Sequence, residues 1–352
     1  MELLQGFPTV MQNVLSTFKS GTLSQGRRIS GPKWQFPNGQ ILDKFVNGRF
    51  LEGNEWKQKR QIFYPAFSHD GTATRIDLTE NAARKFIEDL PSMHPDGLET
   101  SGGGKTISFH IVNGFRKFPL YVTASVIYGA MTSAEKDDLW ALAEKRLALW
   151  PYAVIGGPYR FSWGSWFDRK TYSLLNEYTT EWRKYNDRMV QKRRARGIKT
   201  PLVLFYDAYE AGDVTLENLM HSLDEIILTN LDVMVHAITW VITLIADNKQ
   251  VQQELRDEVD ANWDTLHEYI SKSDTHLHRS FMETIRLRPP AIFNIGESSP
   301  SVKNFKGILV KPNTMVLVDV LAINVRNPFW GSDSEDFRPS RFQNIKPTDV
   351  RI

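Results

Sequence analysis

The chain of 352 residues sets 43 Lys plus Arg against 41 Asp plus Glu, a net charge of +2 that gives no electrostatic reason to expect nucleic acid as a partner. It contains no cysteine, which excludes disulfides, zinc–thiolate sites and cysteine nucleophiles. Hydrophobic residues make up 41% of it, with 20 Phe and 10 Trp, enough to fill a large apolar interior or pocket in one large domain or two smaller ones.

The N-terminus lacks a basic segment followed by an apolar one, so no signal peptide is expected, and the missing cysteines fit an intracellular protein. Leu3, Leu4, Phe7, Val10, Met11, Val14, Leu15 and Phe18 recur at helical spacing. This short amphipathic stretch is too short and too polar to span a bilayer, and no transmembrane anchor is expected. Residues 1–53 are rich in turn formers, among them Pro32, Pro37, Gly39 and Gly48. A helical body is expected over 54–290 and a small β region over 291–352, all within a single domain.

Within the body, Thr79–Leu90 reads as an amphipathic helix ending before Pro91. A loop of Pro, Gly and Ser follows over His94–Gly104, then helices over Phe118–Tyr128, Ser133–Leu149 and Lys170–Arg196. Thr215 is placed to cap the longest helix, 216–247, which has no Gly or Pro inside. At 1.5 Å per residue it would be roughly 45–50 Å long. Helices over Lys249–Asp260 and Asp274–Leu287 follow, and Pro289-Pro290 stops the second. Short β-rich runs at Gly307–Val310 and Met315–Val318 flank Lys311-Pro312-Asn313-Thr314.

Three groups of residues stand out. In the long helix Glu225, Thr229, Asp232, His236, Thr239 and Thr243 follow spacings of four and three among apolar neighbours. Such a stripe either faces water or partner side chains, or its acid has a function. Glu283 and Arg286 lie three apart on one helix, which by itself describes a surface ion pair worth a few tenths of a kcal/mol. Trp56 and Arg60 lie four apart on one helical face, which by itself describes an indole packed on an aliphatic stem.

Taken in order, these segments resemble the cytochrome P450 heme-thiolate monooxygenases. Gly53-Asn54-Glu55-Trp56-Lys57-Gln58-Lys59-Arg60 with Pro65-Ala66-Phe67-Ser68 is similar to the family's heme-propionate helix. Glu283-Thr284-Ile285-Arg286, Leu287-Arg288-Pro289-Pro290, Asn327-Pro328-Phe329-Trp330 and Phe337-Arg338-Pro339-Ser340-Arg341-Phe342 follow the order of its Glu-x-x-Arg helix, small sheet and Pro-x-Arg-Phe segment. Ser340 stands where glutamate is commoner. The resemblance covers about Gly48 to Phe342, and the segment Ile345–Arg351 is similar to fungal secondary-metabolism members. It implies a mainly α fold with a small β-sheet, truncated at both ends, without the heme-binding loop and last helix. The cysteine that ligates iron in the family would lie beyond Arg341, and this chain has none.

The resemblance also implies roles. Trp56 and Arg60 would hold a heme propionate. A further propionate-binding arginine usually follows the Pro-Pro turn, where Gly296-Glu297-Ser298 stands instead. Glu283, Arg286 and Arg341 would form a buried structural triad. Aligning the long helix with the family's Ala-Gly-x-Asp/Glu-Thr motif makes Asp232 the acid and places Thr229, Asn230 and Val233 at the oxygen and substrate pocket. Val233 stands where the family has a threonine whose hydroxyl helps deliver protons, and valine has no hydroxyl. The implied activity is insertion of one oxygen atom from O₂ into a small hydrophobic substrate, with heme as cofactor and an NADPH-dependent P450 reductase as partner. Full-length eukaryotic members sit at the endoplasmic reticulum membrane. Lacking the thiolate, this chain is expected to be inactive alone. The alternative is a non-catalytic relative that binds an apolar ligand or partner.

Three further motifs are discounted. Gly104-Lys105-Thr106 ends like a phosphate loop, but Glu99 stands where the first glycine belongs. His276 and His278 have no cysteine or third ligand in register, so no metal site is expected. Lys192-Arg193-Arg194-Ala195-Arg196 reads as a solvated helix end.

Overall fold

The structure is a computed structural model. It describes residues 61–63, 75–101, 104–155, 162–229, 231–296, 301–305, 307–312, 314 and 316–345. The expected mainly helical fold with a small β component is what these residues form. Their contacts divide the chain into two compact units, Met1–Ala82 with Leu120–Asn230, and Ala83–Pro119 with Leu231–Ile352.

Helix α1 spans Ile76–Met93. Its course corrects the expectation that Pro91 stops it. The proline lacks only one amide donor and lies in the last turn, and the end is closed by Ser92 Oγ donating to Asp89 O (2.8 Å) and His94 N to Leu90 O (3.1 Å). Strands β1 (Leu98–Ser101) and β2 (Gly104–Ile107) then form an antiparallel hairpin. Gly104-Lys105-Thr106 therefore lies in a strand, not at the strand-to-helix turn that phosphate binding requires. Gly97 closes the base of the hairpin: its carbonyl accepts from Ser108 N at 2.8 Å, and a Cβ there would meet Ser108 O at 1.9 Å.

In the first unit, α3 (Lys117–Tyr128), α4 (Ser133–Ile155), α5 (Arg169–Ala195), α6 (Pro201–Glu210) and α7 (Leu216–Asp224) supply the core, after the short α2 (Ile111–Phe115) of the second unit. Helix α5 is polar overall but buries one stripe of Tyr178, Trp182, Tyr185, Asn186, Met189, Val190 and Arg193. Tyr178, Trp182 and Tyr185 stack in succession at 6.3 Å between ring centroids. Asp168 and Thr200 cap α5 and α6, and Pro201 occupies the first turn of α6, where its missing N–H costs nothing.

Arg193 corrects the reading of the basic run as a solvated end. It is 1% exposed, donating to Tyr128 O (2.7 Å), Ala130 O (2.8 Å) and the Glu135 carboxylate (3.2 Å). Glu135 in turn accepts from Thr132 N (3.0 Å) while Thr132 Oγ1 accepts from Glu135 N (3.2 Å), a capping box at the start of α4. One guanidinium thus joins the end of α3, the start of α4 and the end of α5. Arg194 next to it pairs with Asp207 and Glu210 on the surface.

The stretch expected as one helix over 216–247 is helical in its described residues but not uniform. Thr215 caps α7, accepting from Asn218 N. A π turn at Glu225–Thr229 follows, and α8 runs over Leu231–Asp247. By length and composition Leu216–Asp247 is apolar enough to cross a membrane, with a mean hydropathy of 1.6, yet Leu219, Leu223, Leu231 and Val235 are buried in the protein.

In the second unit, α9 (Lys249–Ala261), the short α10 (Leu266–Ile270) and α11 (His276–Leu287) join α8. Four more strands are β3 (Phe293–Gly296), β4 (Lys303–Phe305), β5 (Ile308–Val310) and β6 (Val316–Asp319). The two expected β runs are strands, but they do not pair with each other. β5 pairs back with β4, and β6 reaches across the hairpin to β3, both antiparallel.

Burial alone would raise the carboxyl of Glu135, but its hydrogen bonds from Arg193, Thr132 and Lys192 outweigh that and hold it at about 2, against an ordinary 4.5. Its contribution is therefore complete above about pH 4.5 and lost as pH falls toward 2. The shift corresponds to about 3 kcal/mol. Glu135→Gln should lower the melting temperature at neutral pH and flatten the acid side of the stability curve. Parallel acid limbs for the two proteins in circular-dichroism melts would contradict this assignment.

Candidate functional site

The densest buried charge in the second unit is built around α11. Thr275 caps this helix by accepting from His278 N (3.1 Å), and the Glu258 carboxylate accepts the amide of His276 (2.9 Å). The helix buries Ser280, Glu283, Thr284, Arg286 and Leu287, one face at spacings of three and four. Arg286 meets Glu283 in a two-pronged contact, Nε to Oε2 at 2.7 Å and Nη2 to Oε1 at 2.8 Å. Its remaining nitrogen donates to the carbonyls of Asn324 (2.8 Å) and Ser334 (2.7 Å). The guanidinium lies 4.9 Å over the Trp330 ring, whose Nε1 donates to Ile323 O.

Arg341 comes to the same carboxylate from a 3₁₀ turn at Pro339–Gln343, with Nε 3.3 Å from Glu283 Oε1. It also donates to Trp330 O (2.8 Å), Asp333 O (2.7 Å) and Asp333 Oδ1 (3.1 Å). The Arg341 guanidinium beside Asp333 holds that carboxyl below its usual range. Arg338 adds its amide to Glu283 Oε1 (3.1 Å) and its side chain to Asp333 (2.9 Å). The structure thus brings Glu283, Arg286 and Arg341 together. Beside them is an open depression of about 650 Å³ lined by Phe329, Trp330, Asp333, Arg338 and Arg341, whose charged groups are already engaged with one another.

The stripe on the long helix comes out differently. Asp232 and Val233 are exposed on α8, beside exposed Met234. Thr239 is buried and Thr243 lies one turn on. Both hydroxyls donate to the helix's own carbonyls, Val235 O (2.8 Å) and Thr239 O (2.7 Å). His236 donates from Nε2 to Arg288 O (3.0 Å), with the Arg288 guanidinium 4.9 Å over Trp240. Between Glu225 and Asp232 the π turn replaces i+4 bonding by i+5, so residues on its two sides do not share a continuous face. Trp56, Arg60 and Asn230 lie outside the described residues, as does the side chain of Thr229.

Sequence reasoning missed a buried charge in the first unit. Arg146 Nε is 3.2 Å from both carboxylate oxygens of Asp224, and the Tyr178 hydroxyl donates to the same carboxylate. The side chains of Arg146 and Asp224 are 5% and 2% exposed. The signal for it was position: Asp224 lies between buried Leu223 of α7 and buried Ile227 of the π turn, whereas the exposed acid Glu225 is its neighbour.

A family profile described as Cytochrome P450 matches residues 34–350. The chain belongs to the cytochrome P450 family. Its relatives include the cytochrome P450 monooxygenase hasH of Aspergillus fumigatus, 26% identical over 97% of this chain and 76% of the relative. The cytochrome P450 monooxygenase gliC, also of Aspergillus fumigatus, is 31% identical over 90% of this chain and 62% of the relative. The cytochrome P450 monooxygenase sirC of Leptosphaeria maculans is 30% identical over 86% and 63%. The chain therefore spans about three-fifths of the length of the last two. A zebrafish cytochrome P450 solved with progesterone shares the fold, with a TM-score of 0.68 at 16% identity over 88% of this chain and 73% of that one.

Cytochrome P450s imply heme. The donor set here does not fit a thiolate-ligated heme, because no residue of the chain is cysteine. Among the described residues there is also no group of three His, Asp or Glu side chains able to hold a metal ion. What the chain does supply is the framework around Glu283.

Arg286→Ala would leave the Glu283 carboxylate buried with one guanidinium gone and two backbone carbonyls unpartnered, at a cost of about 3–5 kcal/mol. Arg286→Lys should recover little of it, since an ammonium cannot span both carboxylate oxygens and the two carbonyls. Thermal melts of the three proteins test this, and an unchanged melting temperature for Arg286→Ala would remove the framework role.

Proposed function

We propose that the chain carries the framework of a fungal cytochrome P450 monooxygenase that inserts one oxygen atom from O₂ into a small hydrophobic organic substrate. Electrons would come from an NADPH-dependent reductase, and the protein would work inside the cell. The observation that carries the reading is the family match over residues 34–350, together with the Glu283–Arg286–Arg341 cluster. The iron-ligating thiolate of such an enzyme is not among these residues.

In this reading Asp232 is the acid that passes protons, and Thr229, Asn230 and Val233 border the oxygen and substrate pocket. Support comes from α8, where Asp232 is exposed next to the accessible apolar side chains of Val233 and Met234. An exposed carboxylate exchanges protons with water freely, and an apolar surface beside it suits an apolar substrate. Val233 offers no hydroxyl, so a water or a substrate group must complete the proton path. Trp56 and Arg60 would hold the propionates of the cofactor. Both residue types suit that role, since an indole N–H and a guanidinium each donate to carboxylate oxygen.

The second reading is a non-catalytic P450-like protein that binds an apolar ligand or partner. The ligand argument is tested by expressing the 352 residues with heme supplied and recording the carbon monoxide difference spectrum of the reduced protein. The expected outcome is no thiolate-type band, since methionine or histidine ligation does not reproduce the thiolate's electron donation. A thiolate-type band from this chain would overturn the ligand argument. Sequencing the transcript separates the two readings: an in-frame cysteine loop supports the monooxygenase, and its absence supports the binding protein.

A further inference from the structure

His221 lies on α7 one turn before the π turn. Its Nε2 is 3.5 Å from Glu225 Oε2, and its Nδ1 is buried with no hydrogen-bonding partner. Its own carbonyl accepts the amide of Glu225, which opens the π turn at Glu225–Thr229. The turn is pinned at its near end by Asp224, which Arg146 and the Tyr178 hydroxyl hold in place. A π turn has poorer hydrogen-bond geometry than the α-helix and persists only where its surroundings hold it. The charged groups around the imidazole are Glu225 and Asp224 from its own stretch and Arg146 from α4, while Tyr178 on α5 reaches Asp224 only.

We propose that His221 is a proton-responsive latch on this π turn: the neutral imidazole keeps Glu225–Thr229 closed, and a proton taken from solvent onto Nδ1 in mildly acidic water loosens it. With the single proton on Nε2, the ring faces Glu225, and Nδ1 needs no acceptor. A second proton, on Nδ1, would be a buried donor with nothing to receive it. Rotating the ring toward water relieves this, and the ring moves with the backbone that anchors the turn. Burial lowers the affinity of His221 for a proton below that of an ordinary histidine. Glu225 and Asp224 pull the other way without overcoming it, and Arg146 reinforces the depression. The folded segment therefore binds the proton less readily than an open one. Its stability is complete above the ordinary histidine value, about 6.5, and declines as pH falls below it.

Hydrogen exchange on the whole chain at about pH 7.5 and about pH 5.5, corrected for intrinsic exchange, reads this out on either side of the histidine range. Amides of 225–229 should open several-fold more often at the lower pH, because the open segment binds the histidine proton more readily than the closed one. The buried amides of α5 should keep their protection, and His221→Gln should remove the response. Equal protection of 225–229 at both pH values overturns the proposal, as does an unchanged response in His221→Gln. Should that variant fail to fold, the imidazole signals of His221 in the unaltered chain decide the matter. Titration below the ordinary histidine value supports the latch, and titration at or above it refutes it.

Discussion

The carboxylate of Glu283 is fully buried and accepts from two guanidiniums and one backbone amide. A lone carboxylate there would be too costly to desolvate, so its position dictates what surrounds it. Arg286 and Arg341 together over-compensate its charge, and Asp333 supplies a second carboxylate to Arg341. The segment that receives the remaining donors, from Ala322 to Gln343, has only short 3₁₀ and π turns. Its carbonyls at Asn324, Trp330, Asp333 and Ser334 have no sheet partner, and the two arginines supply the donors that a ladder would have supplied. The charge cluster thus fixes backbone as much as it pairs side chains.

The first unit uses the same device at another place. Arg193 reads two carbonyls at the end of α3 and one carboxylate at the start of α4, again from deep burial. Lysine could not take over at either site, because three directions of donation from one planar group are needed at once. Arg146 with Asp224 is a third instance, with Tyr178 completing the carboxylate's partners. These three sites hold helix ends and turns, the parts of a helical protein whose backbone groups lack intrahelical partners.

Much of this was legible in the sequence, and the exceptions have identifiable causes. The interiors of the helices followed from periodicity, and the cap at Thr215 from residue type. Arg341 came from the family resemblance, since nothing local marks it as a partner of Glu283. The strands Ile308–Val310 and Val316–Asp319 were visible, but their partners were not, because pairing is settled by segments across the sheet and not by the residues between two runs. Arg193 was hidden by its neighbours: a run of basic residues looks solvated, while the three- and four-residue spacing of Trp182, Asn186, Met189 and Arg193 marks a buried face. The polar stripe from Glu225 to Thr243 assumed one uniform helix. A π turn has no signature in residue type, so the register beyond it could not be carried from one side to the other.

Buried charge and candidate chemistry occupy different places in this chain. Glu135, Asp224 and Glu283 are each almost fully buried and held by arginine, so each is committed to a fixed position. Asp232 is exposed on α8 and carries no such commitment. A group that must exchange protons needs access to water, and one that holds a fold needs the opposite. On that physical ground, the arginine-bound carboxylates hold backbone in place, and the exposed Asp232 is the acid proposed to pass protons.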